Sequence, residues 1–559
     1  MRSGSARRAR RAVFLLATAG LGLQFGIGDL SAQVTAPNPT FTWQVVVNNG
    51  VVVPGDTRSF NSYNQPSVNV DGLVVFRARS KGGASGQPAH GVYLRDMALK
   101  TNVVRLFDRR TLVPDPNNLG AAFTEPPSFP RIDMWSATAA SRANHRPTWR
   151  YLLTDGTESR AGTSGIYTNP FGELMTGASV LGAVPTFGFF AVPDIDGLRF
   201  DVFPGAPAVT DTNTIVFKGN YTQASVAHTG VYYRELADAP AGGAAPAVVI
   251  ANTETLIPGS RTPFGSTAPP SAAGRRAVFA GFDNEEHPTK GGIYLAPLDD
   301  HSKRRLTALV GIGDPVPGER KRVVFNRLGE GVSFDGRFVA FWGAWGSEVR
   351  SLTLYCGEEG NAERVAYCLQ QYPAGFTTTV PKHQGIFVHD IRNGRTVAVA
   401  KTGANFDDFL YWNFSGMVPG TGSSDDDGEP ARWRAATFVA VSGLVDGKLT
   451  DANYHVAFKG RRVEGVAGDS VDGIYLAAGP GTTSFAVVCQ TGMDGTLFDA
   501  AAIDPLSQTP LPVTTVGIER DGFRGRWLTI NASMGTEDAG WAGIYLTGVP
   551  ERWLGRTSS

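Results

Sequence analysis

The chain is a succession of short apolar, β-branched and aromatic runs separated by glycine, proline and aspartate. One phrase recurs: glycine, then isoleucine or valine, then tyrosine or phenylalanine. It reads Gly91-Val92-Tyr93, Gly165-Ile166-Tyr167, Gly230-Val231-Tyr232, Gly292-Ile293-Tyr294, Gly385-Ile386-Phe387, Gly473-Ile474-Tyr475 and Gly543-Ile544-Tyr545, at intervals of 74, 65, 62, 93, 88 and 70 residues. Ahead of most copies stands a turn and a second strand-like run, as in Asp71-Gly72-Leu73-Val74-Val75-Phe76, Ile215-Val216-Phe217, Ala277-Val278-Phe279, Asp335-Gly336-Arg337-Phe338-Val339-Ala340-Phe341 and Val456-Ala457-Phe458. Behind them comes another apolar run, such as Val103-Val104-Arg105-Leu106-Phe107 or Phe485-Ala486-Val487-Val488, and a proline connector at Pro54, Pro114, Pro193, Pro258 and Pro317.

Each unit therefore offers four short strands separated by turns, the pattern of a propeller blade. A four-stranded antiparallel sheet with two apolar faces cannot bury both alone, so neighbouring units must stack. The fold expected is all-β: a seven-bladed β-propeller of four-stranded antiparallel blades. At about 75 residues per unit, against the 40–50 of common blade repeats, the excess sits in loops, notably 342–384 and 403–437. Trp43-Gln44-Val45-Val46-Val47 matches the last strand of a unit yet precedes the first unit, while the seventh ends soon after Tyr545. The simplest account is that this N-terminal strand completes the last blade and latches the ring. Trp553-Leu554 as that strand, or a local hairpin at Asn49-Gly50, are the alternatives. Unit 2 departs from the pattern, with Trp149-Arg150-Tyr151-Leu152-Leu153 standing for the usual strand, and unit 7 has Trp527-Leu528-Thr529-Ile530.

The phrase Asn69-Val70-Asp71-Gly72-Leu73-Val74-Val75-Phe76 and its looser copies resemble the tandem N-x-x-G-x-x-A-F repeats of exported bacterial propeller proteins. The Asp-Gly turn before each strand is similar to the repeats of TolB-like and WD40-like propellers. The resemblance covers all seven units. It implies a fold and little about activity.

Composition narrows the class. The chain has 559 residues, 42% hydrophobic, with 51 basic and 51 acidic residues and no net charge, which argues against an electrostatic nucleic-acid binder. Glycine (68) and proline (35) point to many turns and few long helices. Arg2, Arg7, Arg8, Arg10 and Arg11, the apolar run from Ala12 to about Ile27, and Leu30-Ser31-Ala32 follow the order of a secretory signal peptide. Residues 1–32 are read as that signal and 33–559 as a single propeller domain with no transmembrane segment, exported to the periplasm or the medium. Leu30 is an unusual residue three before the cut. A retained anchor is the other reading, and Arg10-Arg11 leaves general secretory and twin-arginine export both open. Cys356 and Cys368 form a plausible local disulfide, with two separate thiols as the alternative, while Cys489 lies far away. The spacing of a zinc site is missing.

Candidate chemistry is sparse. His90, His228, His287 and His383 precede third strands; convergence on a metal is one reading, separate polar loop residues the other. Calcium is the one cofactor to consider, at Asp194 and Asp196 or at Asp425 and Asp427, although neither place has the spacing of a twelve-residue calcium loop. Doublets such as Glu285-Glu286, Glu358-Glu359 and Asp407-Asp408 read as surface charge, and no nucleophile elbow, HExxH motif or phosphate loop occurs. Trp342, Trp345, Tyr372, Trp412 and Trp433 crowd the longest insertions, as a binding platform or as those loops' own core. All long insertions fall between second and third strands or between blades, hence on one face. The expectation is a non-catalytic recognition or scaffold propeller binding a protein or glycan through that face, chiefly the loops of units 4 to 6. An extracellular polysaccharide hydrolase or lyase with its site at the axis, and a structural envelope protein, are the rivals.

Overall fold

The computed structural model describes residues 41–82, 87–298, 306–357, 362–403, 405–421, 430–445, 448–449, 453–464, 469–479, 485–535 and 540–550. The proposed signal peptide and the Asp425–Asp427 cluster lie outside them. Seven antiparallel sheets follow one another, each with the order inner, second, third, outer strand. Blade 1 runs Phe60–Tyr63 with Ser67–Val68, then Leu73–Ser80, His90–Asp96 and Val104–Asp108. Blade 7 has Val513–Gly517 with Phe523–Arg524, then Trp527–Met534 and Trp541–Gly548, and its outer strand is Trp43–Asn48 from the other end of the chain. All seven belong to one compact unit, Asn38–Ser559.

The Gly-Ile-Tyr phrase proves to be a β-bulge signal. In six blades the register between third and outer strands slips between the isoleucine or valine and the aromatic residue of the phrase, as at Val92/Tyr93 and Ile474/Tyr475. In blade 7 the slip falls opposite, at Val45/Val47. The bulge drives an outer-strand carbonyl onto the glycine: a Cβ would lie 2.4 Å from the Phe107 oxygen at Gly91, 2.1 Å from that of Val310 at Gly292 and 2.7 Å from that of Val47 at Gly543. At Gly165, Gly230, Gly385, Gly473 and Gly543 the aromatic ring two residues on also lies against the place of a Cβ, so a larger residue has nowhere to go.

A fourth repeat becomes visible only in three dimensions. Each phrase aromatic meets a phenylalanine that lies at the start of its blade's inner strand or ahead of it in the chain, with ring centroids 4.9 Å apart for Phe60–Tyr93, 4.7 Å for Phe123–Tyr167, 4.9 Å for Phe200–Tyr232, 5.2 Å for Phe264–Tyr294, 4.9 Å for Phe325–Phe387, 4.8 Å for Phe406–Tyr475 and 5.7 Å for Phe498–Tyr545. Most are edge-on, the arrangement that opposes the negative face of one ring to the positive rim of the other.

Each inner strand touches the inner strand of the next blade, and Phe523–Arg524 of blade 7 touches Ser67–Val68 of blade 1. Side chains at the following turn clasp the neighbour. Asn69 holds its own turn by accepting from the Asp71 and Leu73 amides and donates 3.0 Å to the Ser136 carbonyl of blade 2. Asp133 accepts from the Thr212 amide of blade 3 at 2.8 Å, and Asp335 from the Gly443 amide of blade 6 at 2.5 Å. Asn69, Asp133 and Asp335 thus join blades as well as shaping their own turns.

Unit 2 requires a correction. Its second strand is Ala139–His145, and Trp149–Leu152 instead pairs with Glu158–Ala161 as an extra hairpin between the second and third strands. In unit 5 the long insertion is an extension of the second and third strands, Phe338–Leu354 and Phe376–Asp390, capped by the helix Ala362–Gln371. Segment 403–437 holds the hairpin Tyr411–Ser415/Arg432–Ala436. No helix among the described residues is long and apolar enough to cross a membrane.

Gly292→Ala is expected to cost about 2–4 kcal/mol, since its Cβ would meet backbone that cannot yield. Gly188→Ala, where a Cβ meets nothing within 4 Å, should stay within about 0.5 kcal/mol. Urea unfolding of the two variants checks the contrast.

Candidate functional site

Two places could do chemistry: the axis and the face bearing the extensions. The axis is filled by the segment Glu519–Arg524 of blade 7. Arg131, fully buried on the inner strand of blade 2, donates to Glu519 at 2.8 Å and to Asp521 at 2.9 Å. Arg520 donates to Glu519 at 3.0 Å and to the Pro269 carbonyl of blade 4 at 3.0 Å. Arg524 pairs with Asp521 and reaches the carbonyls of Phe334 in blade 5 and Val441 in blade 6. Val68 of blade 1 donates to the Asp521 carbonyl and Ser333 of blade 5 to that of Arg520. One segment can bond to five other blades only by lying on their common axis. Burial would raise the Asp521 carboxyl, but the guanidinium charges of Arg131 and Arg524 outweigh it and hold the group below its ordinary value. Asp335, with three backbone amides but no direct cation, is pushed up by its burial. The axis is a compensated ion-pair network with its carboxylates engaged.

On the face bearing the extensions, blades 1 and 2 frame an open cleft of about 490 Å³. Arg109 from the end of blade 1, Arg146 after the second strand of blade 2 and Arg160 on the extra hairpin line it, with Leu119, Ala122 and Pro147 between them. Arg109 also belongs to a wider basic group. Arg77 is depressed to about 10 by burial, with Glu125 opposing and the charges of Arg79, Arg364 and Arg142 adding to the depression. Arg364 of the blade 5 helix is close enough for its charge to act on Arg77. His90 accepts a hydrogen bond from Arg77 Nε at 2.9 Å through Nε2, which puts its proton on Nδ1. Burial, then the charges of Arg77, Arg79 and Arg109, lower it to about 3, so it is neutral at any physiological pH. Glu125 stands 3.8 Å from Arg77 and Glu158 3.0 Å from Arg160, so part of this charge is paired. Sequence reading missed this group because its arginines are scattered over nearly three hundred residues without a motif.

The structure disperses most sequence candidates. Trp342 and Trp345 are 4% and 5% exposed and are core, not a binding platform: Trp342 donates to Gln384 and Trp345 packs edge-on against Phe387, because both lie on the second strand beneath the insertion. Tyr372 packs on Phe376 and Phe414, Trp433 on Phe414, and Trp412 joins the core between blades 5 and 6, all half-buried. The four histidines stay apart, each with a local partner: His228 with Thr253, His383 with Glu348, and His287 in a turn closed by Asn284. Among the described residues no group of three or more potential metal ligands occurs, and Asp194 and Asp196 are both exposed. Asp408 is corrected from surface charge to a fully buried group, paired with Arg350 and Gln384. Cys356 and Cys368 are joined, tying the blade 5 helix to the strand before it, and burial pushes the Cys489 thiol up to about 12.

No protein-family model matches the chain, and no curated protein is similar to it. Solved structures resemble it distantly. The propeller domain of the Trilobed protease from Pyrococcus furiosus has 8% identity over 88% of this chain and 94% of its own, with a TM-score of 0.34. The polysaccharide lyase Uly1 has 10% identity over 91% and 98%, TM-score 0.36. A family 117 glycoside hydrolase of the marine bacterium Zobellia galactanivorans has 12% identity over 61% and 90%, TM-score 0.25. Likeness this distant carries no argument about activity. The seven-bladed architecture rests on the blades themselves.

Arg131→Met should cost about 3–5 kcal/mol, because it strands Glu519 and Asp521 in the interior. Asp521 has a depressed folded value, so its contribution is complete above its ordinary 3.8 and is lost as pH falls through the lower folded value. An acid titration of Asp521→Asn should accordingly lose less stability below about pH 4 than the native chain. Thiol labelling without reductant should find no reactive cysteine in the folded protein and one after unfolding; reduction should expose all three.

Proposed function

We propose that the protein is an exported, non-catalytic recognition or scaffold propeller that binds a protein or glycan through the face bearing its extensions. One observation carries this reading: the described carboxylates at the axis are taken up by arginines or backbone amides, leaving none to serve as a general acid or base. An open cleft lies instead on the extended face, built by the extra hairpin of blade 2 and by its junction with blade 1. Export is supported by the arginine-then-apolar order of residues 2–27 and by the Cys356–Cys368 disulfide, which suits an oxidising compartment.

The test incubates residues 33–559 with polysaccharides and cell-envelope fractions and follows, in one tube, protein lost from solution and soluble product released. Depletion without product is the expected result, unchanged by EDTA if neither aspartate cluster holds calcium. Product release would overturn the reading in favour of a hydrolase or lyase. Self-association without any ligand would favour a structural envelope protein.

A further inference from the structure

Several lysines of this fold are tied or fully solvated. Lys290 donates to Thr262 at 2.8 Å, and Lys382 and Lys401 donate to Glu348 and Glu319 at 2.7 Å each. Lys81, Lys100 and Lys321 stand exposed. Lys459 is in neither position. It lies on the second strand of blade 6, Tyr454–Glu464, beside Gly460, which pairs with the phrase glycine Gly473. The base of the hairpin Tyr411–Ser415/Arg432–Ala436 covers it, so that Nζ sits 4.0 Å from the centre of the Tyr411 ring and 5.9 Å from that of Phe438. Among the described residues, none forms a hydrogen bond or ion pair with this amine. Asp472, whose charge it feels, is engaged by Arg461 at 2.8 and 3.2 Å, and the Arg461 guanidinium lies 5.1 Å over the same Tyr411 ring. The Tyr411 hydroxyl is itself buried and bonded to no other side chain or backbone group. Lys459 as a whole is only half-buried, so solvent still reaches it.

We propose that Lys459 is a covalent capture site for small uncharged aldehydes. An ammonium between two rings has given up much of its hydration and has gained no acceptor in return, which favours the neutral amine. Attraction to the Tyr411 face favours the cation, but Arg461 shares that ring and repels it. Burial, the main cause, pushes Lys459 down to about 8; Asp472 and Cys489 on the neighbouring strands oppose this, and Arg461 on its own strand adds to it. The neutral amine carries the lone pair that a nucleophile needs. That pair adds to the carbonyl carbon, the C=O π pair moves to oxygen, and a proton passes from nitrogen to that oxygen. The hydroxyl then leaves with the second amine proton as water, and a C=N bond remains. No oxidant or reductant enters. The walls favour an uncharged reagent, because Tyr411 and Phe438 are rings and the adjacent Arg461 and Asp472 neutralise each other. The site is on blade 6, apart from the cleft between blades 1 and 2, and it stands whether or not that cleft binds a glycan or a protein.

The experiment incubates the folded protein with propanal and cyanoborohydride, which reduces an imine to a stable secondary amine, and locates the modified lysines by mass spectrometry of the digest. At about pH 8, Lys459 is expected to react about tenfold or more faster than Lys81, Lys100 and Lys321, since an ordinary lysine titrates near 10.4. The ratio should fall as the pH is raised to about 10, where ordinary amines also lose their proton. In denaturing urea the hairpin no longer covers the residue, and all four lysines should react alike. With propanal alone the adduct should disappear on dialysis, as an imine does. Equal rates in the folded protein at about pH 8 would overturn the proposal. So would a preference for Lys459 that survives in urea, because it would come from local sequence and not from the fold. An adduct that outlasts dialysis without reductant would also overturn it, since the bond formed would not be an imine.

Discussion

The structure depends on the segment Glu519–Arg524. Seven blades stacked by their faces leave an axial space bordered by backbone edges and by polar residues such as Ser67, Ser333 and Ser442. Those groups must be satisfied, and the segment does it with charges. Arg131, Arg520 and Arg524 face Glu519 and Asp521 at the level of the inner strands, and the same arginines reach carbonyls in blades 4, 5 and 6. A buried ion pair brings little net stability compared with a well-packed apolar core, since desolvation offsets most of the attraction. Breaking one is another matter, because the orphaned charge has no water to turn to. The network therefore acts mainly on specificity: it penalises arrangements in which blades 2 and 7 are not each next but one to the other around the axis.

Away from the axis the blades repeat one solution. The third-strand bulge turns the phrase aromatic inward beneath its own glycine, where a phenylalanine meets it edge-on, as Phe200 meets Tyr232 in blade 3. Local chemistry and blade packing thus agree in each unit, the consistency expected of a chain with few competing folds. The turns that carry Asn69, Asp133 and Asp335 add hydrogen bonds from blade to blade. They also occupy the face opposite the extensions, and they leave that face little room to vary.

Variation is concentrated on the other face. There the second and third strands can lengthen without disturbing the bulge, as Phe338–Leu354 and Phe376–Asp390 do, or admit a separate hairpin, as in blade 2. Each addition needs its own small core, which is why Tyr372, Phe376, Phe414 and Trp433 cluster around the blade 5 helix and the neighbouring hairpin instead of standing open to a ligand. Loops on a rigid scaffold are where binding residues gather, and here the additions bring arginines from blades 1, 2 and 5 into one group.

By itself the sequence determined the class and number of blades, because strand patterning and the glycine-aromatic phrase are local: each reflects a steric need within one sheet, repeated seven times. It also pointed to the Cys356–Cys368 bond, whose partners are only 12 residues apart. What it could not determine is anything assembled from several blades. Arg131 and Asp521 meet across 390 residues, and the arginines of the cleft share no spacing. The sequence left Trp342 and Trp345 open between a binding platform and core; the second strand that carries them runs beneath the insertion and buries both. Charge compensation acts through space and not along the chain, so only the tertiary structure decided which carboxylates the axial arginines meet.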